Sequence, residues 1–105
     1  MSQAAANPWR GEASLNINGQ PHVLRPSFAA LVAAEDELGP LFALVERAAA
    51  GQLRLAELVA LFWHCLTNKD GLTRDGVGQA VMAQGLSGVA PALKALLGQI
   101  LQGAG

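Results

Sequence analysis

The sequence predicts a mainly α fold: a small single domain in which an N-terminal β-hairpin packs on a bundle of about four to five short helices. Three observations predict it. The stretch Leu55–Leu66 is apolar nearly all round, with Leu55, Leu58, Val59, Phe62, Cys65 and Leu66 in one stripe at i, i+3, i+4, i+7 spacing. Leu61 and Trp63 extend its apolar surface, and Arg54, Glu57 and His64 mark a narrow polar edge. A helix of that kind is buried on several sides, so it is expected at the centre with Phe62 as its main core residue. Near the N-terminus, Ala13, Leu15 and Ile17 alternate with Ser14, Asn16 and Asn18 ahead of Asn18-Gly19, the strongest short hairpin signal. Between these two stretches and after them, caps and breakers divide the chain into further helical lengths.

The elements follow in order. Residues 1–9 read as a tail, residues 10–102 as one globular domain, and residues 103–105 as a loose end. The second strand is expected from about Pro21 to Arg25, with Leu15, Ile17 and either Val23 or Leu24 covering helices. The alternative is that the hairpin joins strands of a neighbouring subunit. Ser27 caps a helix to Leu38 that Gly39 closes. Its expected buried stripe is Phe28, Leu31, Val32 and Leu38, with Glu35 in line. Pro40 opens a helix to about Ala50, ended by Gly51, with Leu41, Leu44, Val45 and Ala48 apolar. The central helix runs from Leu53 to Leu66, and Asn68 to Gly71 is a turn. Thr73 caps a helix to about Gln84 that faces inward through Val77, Ala80 and Val81. Gly76 and Gly78 each cost this helix about 1 kcal/mol against alanine, so it is expected to fray. Gly85 to Gly88 is expected as a loop. The last helix begins near Val89 or Pro91 and shows Val89, Leu93, Leu96, Leu97, Ile100 and Leu101 on a wide stripe.

Composition narrows the function. At 105 residues the chain has room for one core. Only 14% of residues are charged and the net charge is −1, which gives no general attraction to nucleic acid or anionic lipid. A single cysteine excludes an internal disulfide and any multi-cysteine metal site, and it suits a reducing cytoplasm. The first residues have neither a basic nor an apolar region, so no signal peptide is expected. With so few charges, some apolar surface is expected to meet a partner.

The candidate motifs are weak in chemistry. His64 and Cys65 are adjacent and so point about 100° apart on a helix, which excludes a shared ligand geometry or a catalytic dyad. Asn68 to Gly71 has the look of a calcium loop, but its first and last ligand positions would be Leu66 and Val77. A helix-turn-helix reading of Leu55 to Gln84 gives a recognition helix with Arg74, then Asp75, two glycines and alanine, too few cations to neutralise phosphates. Catalytic residues, cofactor and metal are therefore expected to be none. Glu35 stands out from Asp36 and Glu37, which read as a solvated face. On an apolar stripe its carboxylate needs a partner, and Arg25, Arg47 or the backbone N–H groups opening the next helix are the candidates.

Arg10-Gly11-Glu12, the hairpin through Asn18-Gly19, then Val23-Leu24-Arg25-Pro26-Ser27-Phe28 and Glu35-Asp36-Glu37-Leu38-Gly39 resemble the gene-transfer-agent and phage tail assembly chaperones. That family is also described as tail-tube-like proteins. Its pattern has Leu before the first glutamate of the helix, where this chain has Ala34. The resemblance covers roughly residues 10–101. It implies a non-enzymatic protein that binds the tape-measure protein, and other tail proteins, in the cytoplasm of a bacterial host, without nucleic acid or membrane partners. The alternative is a structural tail or head-completion subunit, found in the particle, that self-associates through the hairpin edge. For a tape-measure helix, the expected docking residues are Leu93, Leu97, Ile100 and Leu101, with movement of residues 73–84 enlarging the groove.

Overall fold

The computed structural model describes residues 12–103. The expected tail, residues 1–9, lies outside them. Ala13–Ile17 (β1) and Gln20–Leu24 (β2) form the antiparallel hairpin, and Ile17 pairs with Gln20 across a two-residue turn. Asn18 and Gly19 both have positive φ, 54° and 79°, as a type I′ turn requires. Ala13, Leu15, Ile17 and Leu24 are buried. Leu24, not Val23, is the second strand's contribution to the core.

Five helices follow: Phe28–Leu38 (α1), Leu41–Ala49 (α2), Leu55–Cys65 (α3), Arg74–Gln84 (α4) and Leu86–Gln102 (α5). Ser27 Oγ accepts the Ala30 N–H at 3.1 Å and Thr73 Oγ1 accepts the Gly76 N–H at 2.9 Å, so both expected caps form. The hairpin packs on α4 and α5, and α3 lies between α1 and α4. Leu58 to Phe62, Cys65 and Leu66 are buried, which makes α3 the centre of the core. Phe62 is fully enclosed, together with Leu15, Ile17, Leu24, Leu61, Val77, Val81 and Leu96. Leu55, expected on the same stripe, is largely exposed at the start of α3.

Two expectations about helices are corrected. The buried residue of α1 is Ala34, flanked by half-buried Ala30, Leu31 and Leu38, whereas Phe28, Val32 and Glu35 face solvent. This helix is apolar on most sides, so side-chain size does not select its inner face. The small Ala34 admits close approach to α3, and the bulky residues turn outward. The second correction is at Gly85, where no loop to Gly88 forms. A positive φ of 79° at Gly85 ends α4 and lets α5 start at Leu86, with the two helices meeting at 117°. Pro91 therefore sits inside α5. It removes the N–H that would bond to the Ser87 carbonyl, and both residues are exposed, so water can take that carbonyl. Gly103, expected as part of a loose end, closes α5 by donating to the Gln99 carbonyl at 2.8 Å.

Candidate functional site

The hairpin register places Glu12 opposite Arg25, and Arg25 Nε donates to Glu12 Oε2 at 2.6 Å, with the Glu12 side chain 4% exposed. Arg47, in the last turn of α2, donates from Nη1 to both oxygens of Glu57 at 2.6 and 2.7 Å. Glu57 in turn accepts the Arg54 N–H at 3.0 Å, at the start of α3. Neither arginine is therefore the partner of Glu35. Glu35 is exposed, not buried on an apolar stripe, and its Oε2 accepts the Leu41 N–H at 3.1 Å. Pro40 has no side-chain group with which to cap α2, so the carboxylate of the preceding helix does it. Of the three partners weighed for Glu35, the backbone of the next helix is the one present.

Glu37 is not simply solvated. It joins three helices, accepting from Arg74 Nη1 of α4 and meeting His64 Nε2 of α3 at 2.8 Å. Lys69 and Arg74 also lie 5.7 and 6.0 Å from the centroid of the Trp63 ring, within cation–π range. His64 is thus directed to α1, while Cys65 is buried in the core, where desolvation pushes its thiol pKa up to about 12. Such a thiol is a core side chain rather than a nucleophile. Among the described residues no three His, Cys, Asp or Glu side chains cluster as metal ligands. Asn68 Oδ1 accepts the Asp70 N–H at 2.8 Å, an Asx turn.

What remains is surface. Both edges of the hairpin are interrupted. On β2, the Val23 carbonyl accepts the Thr67 N–H at 3.1 Å, Arg25 N–H donates to the Cys65 carbonyl at 2.7 Å, and Pro21 has no N–H. On β1, Gln84 Nε2 donates to the Asn16 carbonyl at 2.7 Å. Neither edge presents an uninterrupted ladder to a new strand. The apolar surface is elsewhere. A recess of about 270 Å³ opens between α1, α2 and α5, lined by Leu31, Glu35, Leu41, Phe42, Val45, Ile100 and Leu101. Phe42 is 80% exposed on its rim and Leu101 57%, and on α1 Phe28 is 86% and Val32 42% exposed. The stripe expected to be buried is largely this open face.

Of the four residues expected to dock a partner, Ile100 and Leu101 line the recess. Leu93 and Leu97, half-buried, pack against the protein's own core. The sequence pattern did not reveal Phe28, Val32 and Phe42. A signal was present: the carboxylate of Glu35 shares the side of Phe28 and Val32, and a charge on one side of an otherwise apolar helix marks that side as wet.

The model of the family described as phage tail tube protein, GTA-gp10, matches residues 10–103. The chain belongs to that family. The match takes in the hairpin and all five helices of this tail protein. No curated protein and no solved structure matches it.

Proposed function

We propose that this chain is a non-enzymatic structural component of a phage or gene-transfer-agent tail, which works by packing against other tail proteins. The observation that supports this best is the exposure of Phe28 and Val32 on one side of α1 together with that of Phe42 and Leu101 beside the α1–α2–α5 recess. A domain with so few charges gains little by leaving two phenylalanines in water, and contiguous exposed apolar surface marks an interaction site. The recess beside them is below the roughly 300–1,000 Å³ of small-molecule sites, so it suits side chains of a protein partner. The host cytoplasm is where such a protein is made, and the particle is where it acts.

A second reading is favoured by the recess itself. An amphipathic helix of the tape-measure protein can anchor apolar side chains there, which would make this chain an assembly chaperone. Mass spectrometry of purified particles separates the two. A fixed number of copies per tail is expected of a structural component. A chain that is needed for tail formation, co-purifies with the tape-measure protein from infected cells and is absent from finished particles would replace the structural reading with the chaperone. If tails form normally without the chain, both readings fail.

A further inference from the structure

We propose that the α1–α2–α5 face is the docking surface for a second copy of this chain. The inference rests on the tail-component reading only in taking protein–protein packing as the chain's work, and it names the partner.

The first argument is area. Phenylalanine buries roughly 150–250 Å² on full enclosure, so Phe28 and Phe42, 86% and 80% exposed, offer about 300 Å² between them. Val32, Leu101 and the half-buried Leu31 and Ile100 bring the apolar total to roughly 500 Å². A standard interface buries about 800 Å² per partner, some 60% of it apolar. The face thus supplies nearly all the apolar area that one side of a stable pair needs.

The second argument is self-complementarity. The face carries both a projection and a recess, since Phe28 stands out from α1 one turn before Leu31, which lines the hollow. Two such faces related by a two-fold axis make the same contact twice, as isologous dimers do. Charge agrees. Glu35, the one ionisable group in the recess, is already held by the Leu41 N–H. Glu46 follows Phe42 by one helical turn and Lys94 precedes Leu101 by about two, so each lies on the same side of its helix as that apolar residue. Both are exposed, and among the described residues neither has an ion-pair partner. A second copy brings the matching charge for each.

Sedimentation equilibrium of the purified full chain is the test, at tens of micromolar. The expected mass is above the 10.8 kDa of the single chain. Phe42→Asp and Leu101→Asp should weaken association at least tenfold with unchanged circular dichroism, because both side chains are exposed in the monomer. Phe28→Ser, less disruptive, should weaken it severalfold. Glu46→Lys and Lys94→Glu should each weaken it, and the double variant should recover it. A wild-type chain that stays monomeric at 100 µM, or an oligomer indifferent to all three apolar substitutions, overturns the proposal. A monomeric chain present in finished tails would overturn only this proposal. Self-association with absence from tails would overturn only the tail-component reading.

Discussion

Glu12 and Arg25 face each other across the hairpin, carboxylate to guanidinium at 2.6 Å, one position beyond the last backbone pair, Ala13 with Leu24. The strands thereby extend to the point where α1 begins, and the pair ties the hairpin's open end. Because the Glu12 carboxylate is almost fully enclosed while Glu35 is exposed, the two glutamates should respond differently to neutralisation. Glu12→Gln is expected to cost about 1–3 kcal/mol, as for a charged hydrogen bond lost from a buried acceptor. Glu35→Gln keeps an oxygen for the Leu41 N–H and should cost under about 0.5 kcal/mol. Urea denaturation of both variants checks this, and equal losses would mean that the hairpin pair contributes no more than the helix cap.

The hairpin register implies that pair, although the sequence reading weighed Arg25 only as a partner for Glu35. A two-residue turn at Asn18-Gly19 pairs positions whose numbers sum to 37, as Ile17 with Gln20 and Ala13 with Leu24, and Glu12 with Arg25 continues the series. Turn chemistry and caps are local, so the hairpin and the starts of α1 and α4 follow directly from Asn18-Gly19, Ser27 and Thr73. The inner face of α1 did not. On a helix of alanine, leucine, valine and phenylalanine the pattern cannot say which side packs, and the deciding term, how closely α3 approaches Ala34, is tertiary. The candidate face was hidden for the same reason: Leu31, Phe42 and Leu101 come from three helices, and only packing brings them together.

Two carboxylates set an acid limit on stability. Glu37 is held below the ordinary 4.5 by hydrogen bonds from Arg74 and then His64, and Glu57 by Arg47 and then the Arg54 backbone N–H. Unfolding removes these partners, so the unfolded chain binds protons at higher pH than the folded one. The stabilisation they give is complete above pH 4.5 and is lost as pH falls through the lower folded values. The urea midpoint should therefore hold steady from pH 7 to about 5 and drop below 4.5. Glu37→Gln with Glu57→Gln should make that drop shallower. An acid limb as steep in the double variant as in wild type would assign it to other carboxylates.

The two glycines of α4 give a final, sharper contrast, because they share a helix and the same intrinsic penalty. Replacing either by alanine should gain about 0.5–1 kcal/mol from backbone entropy alone. Their surroundings differ. A Cβ on Gly78 meets the Val59 methyls of α3 at 3.9 Å, ordinary van der Waals contact that adds packing. A Cβ on Gly76 comes within 3.1 Å of Thr73 Oγ1, the oxygen that caps the helix by accepting the Gly76 N–H. The hydroxyl must shift by a few tenths of an ångström, which strains a cap worth about 1 kcal/mol and offsets part of the gain. Gly78→Ala is therefore expected to stabilise the fold more than Gly76→Ala does. Thermal melts read the difference directly. A Gly76→Ala chain that gained as much as Gly78→Ala would mean that the Thr73 hydroxyl makes room for the methyl without strain, as Ser27 does beside Ala30.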